Sequence, residues 1–306
     1  MNEDLLREFL NLFWLRPENA LFSTFKSISY NSLKFESPSL DLSCGDGLFQ
    51  AIHLGGKFSD NFDYYSSTDA SKFKHEKFID IYDHYTDDYD VNYITKPKQT
   101  IDFGTDWKQE LLNKARKTSI YKNLILHDNN ILPLPFQDNF FKTIYSNAIY
   151  WASDVEGLIK EIYRISRDDC VIGLQVMSPS IFSTFDLFER ILSPTAINIL
   201  DRQRRSTMPS LYSNAEWKSL FENSGFTIKS SIPVTPTKII DDIWNIGLRP
   251  ISHLLIQMVD NLSSEQKSKI KKEWIDIFTE LFKPLINLPT STSISQSGYT
   301  YFELSK

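Results

Sequence analysis

The 306-residue chain is 41% hydrophobic, enough for one large domain with insertions or two small ones and too much for a disordered chain. Its 33 basic against 39 acidic residues give no global cationic field for nucleic acid or an anionic membrane, and two cysteines provide neither a disulfide framework nor metal-ligand spacing. No apolar run reaches the roughly 18 residues of a membrane span, and the acidic start "MNEDLLREFLNLFW" lacks the basic region of a signal peptide, so a cytoplasmic location is expected.

Leu5, Leu6, Phe9, Leu10 and Phe13 recur at helical spacing, and Pro17 stops that helix or starts a second over "ENALFSTFKSI". "SPSLDLS" reads as a short strand, and "GLFQAIHLGG" as the helix after a glycine turn, closed by Gly55 and Gly56. Residues 57–98 turn aromatic, acidic and polar around "YDHYTDDYDVNY", too long for an ordinary connection and therefore an insertion.

Strand and helix then alternate. "KQTIDFG", "KNLILHDN", "KTIYSNAIYW", "CVIGLQVMS" and "FTIKSSIPV" read as strands, separated by helices at "DWKQELLNKARKTS", "VEGLIKEIYRISR" and "NAEWKSLFENSG". The run "RQRR" at Arg202 to Arg205 reads as a solvated helix end rather than a nucleic-acid patch. Residues 238–286 read as helices broken at "GLRP" and "LSS", and "SGYTYFELSK" as a last strand. Three parts result: N-terminal helices over 1–36, an α/β unit over 37–235 with 296–306, and a helical segment over 236–295 that is either a cap or an oligomerisation surface, for instance of a homodimer.

In "LDLSCGDGLFQ" a strand, a glycine turn and a helix place backbone N–H groups and a positive helix end beside a ligand, a weak signal alone. Asp102, read as the tip of the second strand, adds a carboxylate able to accept both ribose hydroxyls of a nucleoside; a solvated strand-end acid is the alternative.

The stretch "LILHDNNILPLPFQDNFFKTIYSNAIYWASDVEGLIKEIYRIS", Leu124 to Ser166, resembles the class I S-adenosylmethionine-dependent methyltransferases, in particular the type 11-like branch with an "LPF" segment between strands. The resemblance spans about Leu40 to Met177, and "LDLSCGDG" and "IDFGTDWKQELLNKAR" fall in its order. It implies a Rossmann-like seven-stranded α/β sheet with the last strand antiparallel, S-adenosyl-L-methionine as cofactor and S-adenosyl-L-homocysteine as product. Residue by residue, it implies that Asp41, Ser43, Gly45 and Gly47 form the methionine-side turn, Asp102 binds ribose, Asp128 or Asn129 meets adenine, and Ser146 and Asn147 flank the sulfonium. The sequence departs from the family at Ser43, in place of a glycine, and at Tyr150, where relatives carry a histidine.

Transfer of a methyl group needs an aligned nucleophile, a water-poor pocket and in some cases a base. Asn147, Tyr150 and His127 are the catalytic candidates. Tyr150 either contacts the acceptor or packs, and His127 is either a base or a strand-end histidine bonded to backbone. The tyrosines of the insertion, Tyr64, Tyr65, Tyr82, Tyr85, Tyr89 and Tyr93, either wall a pocket or snorkel from a surface element, and the acids among them favour a neutral or cationic acceptor. A small or carbohydrate-like molecule methylated on oxygen is the expected acceptor. Nitrogen or carbon methylation, a catalytically degenerate cofactor-binding partner subunit and a nicotinamide-dependent dehydrogenase are the other readings.

Overall fold

A computed structural model describes residues 2–66, 68, 82–202 and 204–306; the middle of the aromatic insertion lies outside them. Helix α1 (Asn2–Leu12) is followed by α2 (Pro17–Ser29), with Pro17 in the first turn, where its missing N–H has no intrahelical partner to lose.

Apart from a short antiparallel pair in the insertion at Lys57–Phe58 and Tyr93–Thr95, the strands among the described residues are β1 (Ser39–Leu42), β2 (Ile101–Asp106), β3 (Tyr121–Leu126), β4 (Phe141–Ser146), β5 (Ser166–Met177), β6 (Thr227–Pro233) and β7 (Tyr299–Ser305). They form one sheet in the order β3-β2-β1-β4-β5-β7-β6. The first five are mutually parallel, and β7 runs antiparallel to both β5 and β6. The seven-stranded sheet with an antiparallel last strand is therefore observed. Every residue of β1 is buried, as expected of a central strand covered on both faces. Strand order reverses between β1 and β4, so the crevice for a ligand lies beyond their C-terminal ends.

Helices α3 (Leu48–His53), α4 (Gln109–Thr118), α5 (Val155–Ile165) and α8 (Asn214–Asn223) occupy the expected crossovers. Two helices between β5 and α8 have no counterpart in the sequence reading: α6 (Ser183–Phe188) and α7 (Pro194–Asp201). Both are short, so neither carries a long periodic stripe. The stretch before β7 folds as α9 (Lys238–Ile246), α10 (Ser252–Asp260) and α11 (Ser264–Phe282).

Strand β2 runs past Gly104 to Asp106. Gly104 is not a strand end: a Cβ there would stand 2.9 Å from Tyr121 Cδ1 and 3.0 Å from Cys44 Sγ, so glycine serves close packing inside the strand.

The N-terminal helices close one side of the crevice. Gln175 of β5 donates from Nε2 to Lys26 O at 2.8 Å and Ser29 Oγ at 2.7 Å, and Tyr30 stacks on Tyr145 of β4 at 4.3 Å. Another side is made by α9, whose Trp244 stacks on Phe22 of α2 at 4.8 Å and donates from Nε1 to Asn19 at 3.2 Å. Helix α11 lies along α1, joined by Arg7–Asp276 at 2.7 Å and by Trp14 edge-on to Trp274. Among the described residues no helix is long and apolar enough to cross a membrane.

Candidate active site

A cavity of about 760 Å³ opens at the C-terminal ends of β1, β2 and β4. Its size falls within the roughly 300–1,000 Å³ of small-molecule sites. From the expected set, Asp41, Ser43, Gly45, Asn147 and Tyr150 line it; Gly47, Asp102, His127, Asp128, Asn129 and Ser146 do not.

The turn after β1 has three residues in the left-handed region, Ser43 (φ 66), Gly45 (φ 59) and Gly47 (φ 73). The two glycines have different reasons. A Cβ on Gly45 would meet nothing within 4 Å, so its open side is available for close approach of a ligand. A Cβ on Gly47 would meet Tyr121 Cε2 at 2.8 Å, so that glycine serves packing of α3. Ser43 adopts the conformation of the glycine it replaces, and its hydroxyl accepts from Asn129 Nδ2 at 2.7 Å. This is how Asn129 acts in the structure: it ties the turn to the loop after β3 from behind the cavity wall.

Asp102 is not at the tip of β2. It sits at the opposite end, where its carboxylate accepts from Ser39 N at 2.9 Å, Ser39 Oγ at 3.1 Å and Lys122 Nζ at 2.7 Å. The tip is Asp106, buried just behind the cavity lining, whose carboxylate accepts from the backbone N–H of two lining residues, Gly45 at 3.1 Å and Lys108 at 3.0 Å. Burial pushes the Asp106 carboxyl above its usual value, partly offset by those two N–H bonds. A carboxylate has about four acceptor positions, so two remain for hydroxyl groups. Next to it stands Trp107, 62% exposed and lining the cavity, a large flat apolar surface left open at a strand end.

His127 follows β3 and donates its backbone N–H to Asp106 O at 2.9 Å, and its ring does not reach the cavity. Asp128 caps its own loop, accepting from Asn130 N and Nδ2, both at 2.9 Å. After β4, the Ser146 hydroxyl donates to Leu42 O at 2.7 Å and so joins β4 to β1 rather than facing a ligand. Asn147 stays in the cavity, held from below by Tyr299 Oη donating to its carbonyl at 3.2 Å. Tyr150 lines the cavity edge-on to Tyr299, and burial pushes its phenol upward, which keeps it a hydrogen-bond donor.

Several walls come from segments whose sequence carries no motif for them. Lys26 of α2 lines the same cavity as Asp41, its ammonium 4.8 Å from the centre of the Phe49 ring. Burial brings the Lys26 ammonium down to about 8 against the pull of Asp41. Burial likewise raises the Asp41 carboxyl to about 7, although Tyr121 Oη donates to it at 2.5 Å. Tyr64 and Tyr82 of the insertion stack at 5.3 Å and form a wall; Tyr64 donates to Asp46, and Lys108 grips Asp83 at 2.6 Å. The tyrosines 64, 65 and 89 are buried, so in its described part the insertion packs against the site. From the opposite side come Arg202, Arg204, Met208, Trp244 and Arg249. The "RQRR" run does follow a helix end, yet Arg204 is buried rather than solvated.

Residues 96–172 match the family model described as "Methyltransferase domain". The matched segment, which runs from the end of the insertion into β5, is similar to that methyltransferase family. No curated protein matches in sequence. Among solved structures the chain is similar to an S-adenosylmethionine-dependent methyltransferase from Mesorhizobium loti at 12% identity, covering 93% of this chain and 98% of that one, with a TM-score of 0.46. It is also similar to a TehB-like methyltransferase from Corynebacterium glutamicum (9% identity, 92% and 87% covered, TM-score 0.42) and to the [4+2]-cyclase SpnF (13%, 94% and 82%, TM-score 0.46). The family implies S-adenosylmethionine as methyl donor. The residues present fit such a molecule: an open face at Gly45, an acid at the β2 tip, an exposed aromatic beside it and a cavity with room for a second molecule.

Proposed function

We propose that the chain transfers a methyl group from S-adenosylmethionine to a small-molecule acceptor, on oxygen, inside this cavity. The observation that carries the proposal is the conjunction of Gly45, open to close approach, with the Asp106 carboxylate bonded to its N–H at the β2 tip. The cofactor supplies an electrophilic methyl group on a sulfonium. Asp106 accepts the ribose hydroxyls with its remaining lone pairs, and Trp107 offers a face for the adenine. Lys26 and Asp41 present one charge of each sign, matching the carboxylate and ammonium of an amino-acid end.

Asn147 and Tyr150 lie where the acceptor meets the methyl group, Tyr150 as a donor that orients it. With the acceptor aligned and water excluded by Tyr64, Tyr82 and Trp244, positioning supplies most of the rate, since no leaving-group protonation is needed. Isothermal titration with S-adenosylhomocysteine tests the reading. Micromolar binding, lost on Asp106→Ala, is expected; no binding to the intact chain refutes it.

A further inference from the structure

The "RQRR" run ends in a cationic wall that the cofactor reading leaves unassigned. Arg204 shows 3% of its surface and lies with its guanidinium carbon 3.6 Å from the centre of the Trp244 ring. Its Nη1 makes two long bonds, to Trp244 O at 3.3 Å and Asn245 Oδ1 at 3.4 Å, while Nε and Nη2 find no acceptor among the described residues. The acids that bear on it are engaged elsewhere. Glu18 accepts from Arg16 through Oε1, with Oε2 making no bond to Arg204, and Asp201 accepts from Arg205 N at 3.3 Å and pairs with Arg205 Nε at 3.5 Å. Arg202, also in the wall, donates to His253 Nδ1 at 3.0 Å, a neutral partner in that role, and Arg249 adds a further positive charge. A buried guanidinium without a carboxylate costs several kcal/mol unless an anion compensates it.

We propose that the methyl acceptor carries an oxyanion, a carboxylate or a phosphate group, seated on Arg204 with Arg202 and Arg249 beside it. This rests on the methyltransferase reading and names the acceptor's chemistry within it. The wall belongs to the acceptor side: Ser210, six residues on, donates from N to Tyr150 O at 3.2 Å and from Oγ to Ala152 O at 2.7 Å, so the segment lies against the end of β4. The cofactor's own carboxylate already has Lys26 beside the β1 turn. An anionic acceptor departs from the neutral or cationic one expected from the insertion, two of whose acids are paired in place, Asp83 with Lys108 and Asp63 with Lys267 at 3.1 Å. A planar fork that binds two oxygens, stacked on tryptophan, suits either anion.

The test titrates inorganic phosphate and, separately, benzoate into the full chain, with and without saturating S-adenosylhomocysteine, following melting temperature and heat. One of the two anions is expected to bind and raise the melting temperature, and which one does so tells phosphate from carboxylate. Arg204→Met should weaken that anion at least tenfold and leave the S-adenosylhomocysteine affinity within twofold. Arg204→Lys, which keeps the charge without the fork, should weaken the anion severalfold and decides the matter where the methionine variant does not fold. Binding of neither anion to the wild type overturns the proposal, as does anion binding indifferent to both substitutions. A tenfold loss of S-adenosylhomocysteine in Arg204→Lys also overturns it, since the arginine would then hold the cofactor. Failure of the wild type to bind S-adenosylhomocysteine defeats the underlying reading instead, while the cofactor-free titration still reports on the anion site.

Discussion

Exchanging the acids at the two ends of β2 separates a cofactor ligand from a structural one. In Asp106→Asn the amide keeps one acceptor oxygen for the N–H groups of Gly45 and Lys108, where the carboxylate used two, and presents an NH₂ to whatever else needs an acceptor. Hydrogen bonds to a charged group contribute about 1.5–3 kcal/mol each, so losing the ribose pair in part costs about 2–4 kcal/mol of binding. That corresponds to roughly 30- to 1,000-fold in the dissociation constant of S-adenosylhomocysteine. Asp102→Asn keeps an acceptor for Ser39 N and loses mainly the charge opposite Lys122, whose side chain is 57% exposed. An ion pair this open is worth about 0–1 kcal/mol, so stability falls slightly and cofactor affinity stays within twofold. Isothermal titration of both variants, with circular dichroism to confirm folding, is the assay. The reasoning fails if Asp102→Asn loses affinity tenfold or more while Asp106→Asn binds as the wild type does.

The glycines give a parallel contrast. Gly45→Ala should fold with a loss of about 1 kcal/mol for its positive φ yet bind S-adenosylhomocysteine at least tenfold more weakly, whereas Gly47→Ala, driven into Tyr121, should lose about 2–4 kcal/mol in urea denaturation. Ser43→Gly relieves a left-handed serine and removes the bond from Asn129, two effects of about 1 kcal/mol each and opposite sign; the melting temperature should change little and cofactor affinity should not fall. Asp41 has a folded pKa raised by burial from 3.8 to about 7, so the unfolded chain gives up this proton first, and stability falls as pH rises from about 4 to 7 and then levels off. At about 1.4 kcal/mol per pKa unit the effect is on the order of 4 kcal/mol, so Asp41→Asn should gain on the wild type across that window in denaturation at a series of pH values. A constant difference between the two proteins would contradict it.

The sheet was legible because its signals are local. Alternating apolar runs marked the strands, and the "LPF" to "YRIS" stretch implied their order and the antiparallel β7. Of the candidate site, the turn from Ser43 to Gly47 was legible as a backbone conformation, because that depends on nearby residues. Asp102 was misplaced because Gly104 looks like a strand end, when it is a contact with Tyr121 and Cys44 made by chain remote in sequence. Reading "IDFGTD" two residues further would have found Asp106. Ser146 and Asn129 keep their places in the order of motifs, but their side chains bond to Leu42 O and to Ser43, which no spacing reveals. Lys26, Arg202 and Arg204 reach the cavity through the docking of α2 and α9, so their place in its wall comes from tertiary closure rather than from any periodicity.

A crystal structure of the full chain grown with S-adenosylhomocysteine tests the central claim most directly. The account predicts ribose hydroxyls on the Asp106 carboxylate, the amino-acid end between Lys26 and Asp41 over Gly45, and the sulfur facing Asn147 and Tyr150. A ligand bound at the Asp102 end of β2, or density elsewhere with this cavity empty, would contradict it.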